Sequence, residues 1–261
     1  MLALRHFDSC EFERDFEALE MEQNMIEHRR ASDTIIRDFQ VFGERRSGTN
    51  FCSALFASTF DLTERFNYGW KHGAPVMPCI SPSSLIVVVV RDPYEWVLSM
   101  HARPLEAPRM QGLDFSDFIR STWRSNYQPR SIGRHKFGLA GFPVERNVDL
   151  QYDLHPIDGR PFNNVLEMRR VKLRSHLGLL NRAPNVVVLK YEVLCSATTE
   201  LILRVATEFG LQRRSNAQAE LGHVGLKTGK NRLKISEIKD TDRKFIFDQL
   251  DKCLESKFGY C

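Results

Sequence analysis

Residues 42 to 51 read FGERRSGTNF. Gly43 and Gly48 stand at the spacing of the phosphate-binding loop G-x-x-x-x-G-K-[ST], but Thr49 and Asn50 occupy the places of its lysine and its hydroxyl residue. A glycine turn between a strand and a helix offers backbone N–H groups to an anion, and the helix dipole adds about half a positive charge there. Ser47 and Thr49 supply hydroxyls. Arg46 supplies a planar, permanently charged fork suited to phosphate or sulfate oxygens, with Arg45 beside it. Such a loop is equipped for an anion, yet it lacks the lysine and the hydroxyl residue that handle terminal phosphates and magnesium.

A second group lies in RDPYEWVLSM, residues 91 to 100. Arg91 leaves the end of an apolar run, and Ser99 follows about two helical turns later, so both reach a second anionic group along the strand ends. The same run admits another reading, in which Asp92 is a magnesium ligand after a hydrophobic strand and the chain is a kinase or NTPase of unusual loop sequence.

These residues need strands and helices to position them. DFQVFGE (38 to 44) reads as a short strand ending in glycine, and TNFCSALFAST (49 to 59) as the helix after it. SLIVVVV (84 to 90) and NVVVLK (185 to 190) are continuous β-branched runs, the pattern of strands buried on both faces. Helical segments follow each, at 93 to 102 with Pro93 in its first turn and at 198 to 210 with Gly210 as its stop. Alternating strands and helices predict an α/β fold with a central, mainly parallel sheet flanked by helices, and in such sheets ligands sit at the carboxyl ends of the strands. Both motifs then share one rim. Residues 1 to 33, rich in Glu and Arg, read as a helical or partly disordered extension to an α/β domain spanning 34 to 261. The pattern breaks between about 127 and 163 into Pro, Gly, Arg and His, which reads as a basic insertion over the site. NNVLEMRRVKLRSHLGLL (163 to 180) reads as a helix with its basic side chains on one flank.

The whole chain is compatible with one core: 261 residues, 42% apolar and 27% charged. A net charge of +4, from 37 basic and 33 acidic residues, is too small to argue for a nucleic-acid polymer. Six scattered cysteines show no C-x-x-C pair and no zinc spacing, which favours reduced thiols and gives no reason to expect a metal. The first residues lack the apolar stretch of a signal peptide, and LIVVVV is far too short to span a bilayer, so a cytoplasmic location is expected.

RRSGTNF resembles the 5′-phosphosulfate-binding loop of sulfotransferases, RDPYEWVLS their 3′-phosphate element, and LKYEVL (189 to 194) a later strand of that family. The resemblance covers roughly 38 to 210 and leans toward bacterial and carbohydrate-modifying members, with a P-loop-like, three-layer fold. It implies a donor, 3′-phosphoadenosine-5′-phosphosulfate (PAPS), with Arg45, Arg46, Ser47, Gly48, Thr49 and Asn50 at its 5′ end. It further implies Arg91 and Ser99 at the 3′-phosphate, Tyr191 near the nucleotide, and Lys227 and Lys230 of GLKTGKNRLK in the family's C-terminal element. Asn50 departs from the usual hydroxyl residue, and Val193 stands where Asp is usual. The acceptor is then a hydroxyl, of a saccharide or a glycoconjugate precursor, and it needs a base. YGWKHG (68 to 73) offers His72, with Lys71 beside it, and Glu44 abuts the loop as a second candidate. His101, His135 and His155 stand behind these, and Trp70, Trp96 and Trp123 are compatible with a sugar. A relative that keeps the anion pocket without turnover is a further reading of the same motifs.

Overall fold

The computed structural model describes residues 26–126, 153–214 and 233–260. Five strands form one sheet: β1 (Ile26–Arg30), β2 (Asp38–Phe42), β3 (Thr63–Glu64), β4 (Ser84–Val90) and β5 (Asn185–Lys190), in the order β1-β5-β4-β2-β3. β4 is central and parallel to both β2 and β5, β3 is parallel to β2, and β1 alone runs antiparallel, against β5. All seven residues of β4 are buried, as its unbroken β-branched run requires of a strand covered on both faces. Burial of each such side chain contributes on the order of 1.5–3 kcal/mol.

Successive side chains point to opposite sides of a sheet. Phe39, Val41, Val87, Val89 and Val187 accordingly pack with Leu55 and Phe56 of α1 (Thr49–Thr59) and with Leu201 and Val205 of α7 (Thr198–Phe209). Phe42, Ile86, Val88, Val186 and Val188 pack with Leu173 and Leu177 of α4 (Val165–Leu177) and with Leu254 and Phe258 of the C-terminal segment. A third cluster joins α2 (Pro93–Ala102), α3 (Phe115–Arg120) and α4 through Trp96, Phe118, Trp123, Phe162 and Leu166. Short helices α5 (Leu179–Arg182) and α6 (Tyr191–Ser196) flank β5, and α8 (Asp240–Gln249) and α9 (Lys252–Ser256) close the described chain.

The α/β expectation holds, with a mostly parallel sheet flanked by helices. Pro93 opens α2, and Gly210 ends α7 in the left-handed region at φ 61°. Three local readings change. Ile26–Arg30, assigned from sequence to the extension, is the antiparallel edge strand, where Arg29 is fastened to the carbonyls of Leu180 and Asn181. LKYEVL leaves the sheet after Lys190 and turns helical at Tyr191. The basic side chains of α4 do not share one flank, because Arg169 and Lys172 are buried while Arg174 is exposed. No helix among the described residues is long and apolar enough to cross a membrane.

Candidate functional site

The 43–48 loop joins β2 to α1 at the carboxyl edge of the sheet. Its two glycines answer to close neighbours. A Cβ on Gly43 (φ 152°) would come 2.5 Å from the Val89 carbonyl oxygen, and one on Gly48 (φ 95°) would come 2.2 Å from the Tyr191 ring. Arg46 holds φ 68°, a left-handed backbone that costs a non-glycine residue about 1–3 kcal/mol and persists where surrounding contacts impose it. Those contacts are on hand. The Ser47 amide and hydroxyl both donate to the Glu44 carbonyl, at 3.2 and 2.7 Å, so this hydroxyl fastens the loop from inside. Gly48 stands at the N-cap of α1 and has no side chain to offer, so among the described residues no N-cap side chain takes the first-turn N–H groups.

Arg46, Arg91 and Ser99 meet at this loop. The Arg46 Nε donates to the Ser99 hydroxyl at 2.9 Å, and Arg91 donates to the Arg46 carbonyl at 3.0 Å. The Arg91 guanidinium lies 4.6 Å from the Tyr191 ring centroid and pairs with Glu95 at 3.3 Å. Its Nε is buried with no hydrogen-bond partner among the described residues. Two permanent cations, Tyr191 and the uncapped start of α1 thus converge on one rim.

The 68–73 segment forms the other wall. The Gly43 amide donates to the Lys71 carbonyl at 3.0 Å, and the Lys71 ammonium donates to the Asn50 side-chain oxygen at 2.5 Å. His72 Nδ1 lies 2.7 Å from the Gly43 carbonyl. A carbonyl only accepts, so Nδ1 carries the proton and Nε2 is the acceptor nitrogen. Burial, reinforced by the nearby charges of Lys71 and Arg45, holds the His72 pKa well below the usual histidine value. The imidazole is neutral at physiological pH.

Arg45 and Glu44 turn inward. Arg45, expected at the ligand, is 3% exposed and ion-paired to Asp153 at 2.6 Å and Glu106 at 3.3 Å, with its guanidinium 4.8 Å from the Trp70 ring. Asp153 also takes Lys172 at 2.5 Å and the Trp123 N–H at 3.1 Å. Burial alone would raise the Asp153 pKa, but Lys172 and Arg45 outweigh it and hold the carboxyl below its ordinary value. Glu44 faces Lys172 at 3.8 Å, with both carboxyl oxygens buried and unbonded among the described residues. Burial pushes its pKa up to about 7, against the pull of Lys172.

Several residues missed from sequence therefore shape the site: Asp153, Lys172, Arg169, Glu106 and Glu192. One signal was available. Val165, Arg169, Lys172 and His176 recur at helical spacing, so the two cations share a stripe with a valine and a histidine. Nothing local marks Asp153. Trp96 and Trp123 are fully buried core, and Trp96 donates to the Arg45 carbonyl at 2.8 Å. His101 bonds the Leu113 carbonyl between Phe115 and Phe118, and His155 pairs with Asp158. Lys227, Lys230, His135 and residues 127–152 of the insertion lie outside the described residues. Comparison with protein-family models, with curated proteins and with solved structures found no match.

Proposed function

We propose that this chain is a PAPS-dependent sulfotransferase of P-loop-like, three-layer fold that moves a sulfuryl group to a hydroxyl acceptor, with a saccharide or glycoconjugate precursor as the acceptor class. The observation that carries the reading is the meeting of Arg46, Arg91 and Ser99 at the 43–48 loop, from segments far apart in sequence. Two guanidinium groups on one rim suit a ligand with two anionic ends. The buried, unbonded Arg91 Nε is a donor awaiting an acceptor, and the glycines bring backbone close enough to leave no room for a side chain.

The donor supplies a sulfuryl group on a good leaving phosphate, and the protein's work is positioning and electrostatics. Arg46 and the first-turn amides of α1 stabilise negative charge on the departing 5′-phosphate. Lys71, held by Asn50 at the start of α1, brings to the loop the lysine that its own sequence lacks. Arg91 and Ser99 take the 3′-phosphate. His72, with its tautomer fixed by Gly43, accepts the acceptor's proton at Nε2. Asp92 does not favour the kinase alternative, since its carboxylate caps α2 by accepting the Glu95 amide at 2.8 Å.

Turnover tests this reading. Incubation of PAPS with a panel of hydroxylated saccharides should release the 3′,5′-bisphosphate above its spontaneous rate, and Arg46→Ala should slow that release by about 10²–10³-fold. Equal release by wild type and variant would contradict the role given to the loop.

A further inference from the structure

The two polar groups of the Arg91–Asp92 peptide are each held by a partner that residues 251–260 in turn hold. On one side, the Arg91 carbonyl accepts from Arg169 at 2.8 Å, and Arg169 makes a two-pronged, fully buried pair with Glu255 at 2.6 and 2.8 Å. On the other side, the Asp92 amide donates to one oxygen of Glu192 at 3.0 Å, and the other oxygen of Glu192 accepts the Tyr260 hydroxyl at 2.8 Å. Glu192 sits next to Tyr191, the ring that packs on both Arg91 and Gly48. The segment itself is pinned at three further points. Arg174 pairs with Asp251, the Lys190 ammonium donates to the Phe258 carbonyl, and the Phe258 side chain enters the core beneath β4.

A guanidinium selects a phosphate only if its stem is fixed, since a long side chain that must be ordered on binding gives back much of the interaction. The peptide at Arg91–Asp92 is clamped at both ends by charged side chains, and the clamp closes through Glu255 and Tyr260. We infer that residues 251–260 form a strap that sets the position of Arg91 for the 3′-phosphate, with Glu255 and Tyr260 as positioning residues. The inference rests on the nucleotide reading above for its ligand, and on hydrogen bonding alone for its mechanics.

Tyr260→Phe removes one hydroxyl and leaves the ring that lies 4.8 Å from the Lys190 ammonium, so it spares the fold. Two readouts are taken on the full chain. Amide hydrogen exchange at Asp92, without ligand, should be faster in Tyr260→Phe than in wild type. Calorimetry with 3′-phosphoadenosine-5′-phosphate and with adenosine 5′-monophosphate should show the bisphosphate weakened by about five- to fiftyfold and the monophosphate by less than about twofold. Glu255→Gln, which keeps part of the Arg169 pairing, should show the same selective loss. Unchanged Asp92 exchange, or equal weakening of both nucleotides, overturns the strap. A wild type that does not distinguish the two nucleotides overturns the nucleotide reading instead, and the exchange result then still decides the strap.

Discussion

Two groups near the loop are candidates to take the acceptor's proton, and their environments push them in opposite directions. His72 is held neutral far below its usual pKa by burial and by Lys71, while burial lifts Glu44 to about 7. Geometry favours His72, since Gly43 fixes its tautomer, whereas Glu44 faces Lys172. The pH dependence of kcat/KM separates them. With His72 as base, the rate is flat from pH 8 down to about 6, and His72→Ala loses about 10²–10⁴-fold. An acidic limb centred near 7, abolished in Glu44→Gln, would assign the proton to Glu44. Sequence offered Glu44 because it abuts the loop, and His72 as a histidine beside Lys71 in YGWKHG. It gave no means of telling which carboxyl or imidazole would be desolvated, because that depends on Asp153 and Lys172, remote in sequence.

At the scale of elements, the strand–loop–helix unit from β2 to α1 is held by contacts between backbone and ring. Gly48 is the tightest point, with Tyr191 of α6 against its Cα face. Gly48→Ala places a methyl inside the ring and asks alanine to hold φ 95°. The loss in unfolding free energy should be about 2–5 kcal/mol, the sum of backbone strain and overpacking. Adding Tyr191→Ala should recover the overpacking part and not the strain, which a double-mutant cycle in urea reads directly. If Gly48→Ala is neutral, the Tyr191 contact is not what shapes the loop. The elements from 38 to 59 and from 84 to 102 were legible because their apolar runs and turn residues are local. β1 was not, since Ile26–Arg30 carries four charged or titratable residues in five and becomes a strand only because β5 offers an edge. α4 misled for the opposite reason. Its cations read as one basic flank until Glu255 and Asp153 are seen to pair with Arg169 and Lys172 in the interior.

Across the whole molecule, buried charge is concentrated beneath the site: Glu44, Arg45, Asp153, Arg169, Lys172 and Glu255 are all under 10% exposed. Such networks specify an arrangement more than they stabilise it. Their pH signature follows from Glu44. Its folded pKa of about 7 exceeds the ordinary 4.5, so the folded state binds the extra proton between those values. Its contribution to stability is therefore full below about pH 4.5 and lost as pH rises to about 7. His176, held down to about 4 by burial, works the other way as pH rises from 4 to its usual 6.5, so wild type must be read against a variant. The stability of Glu44→Gln relative to wild type should climb from pH 5 to pH 8 by about 2–3 kcal/mol in urea unfolding. A difference independent of pH would mean that Glu44 is ionised in both states.

In the proposed function, Arg91 and the 43–48 loop hold the two anionic ends of one nucleotide. Calorimetric titration with 3′-phosphoadenosine-5′-phosphate, beside ATP with magnesium, tests it most directly when run on wild type and Arg91→Ala. Wild type should prefer the bisphosphate, and Arg91→Ala should lose this preference while the 5′-monophosphate binds as before. A preference for magnesium-ATP, or a bisphosphate affinity that Arg91→Ala leaves untouched, would contradict it.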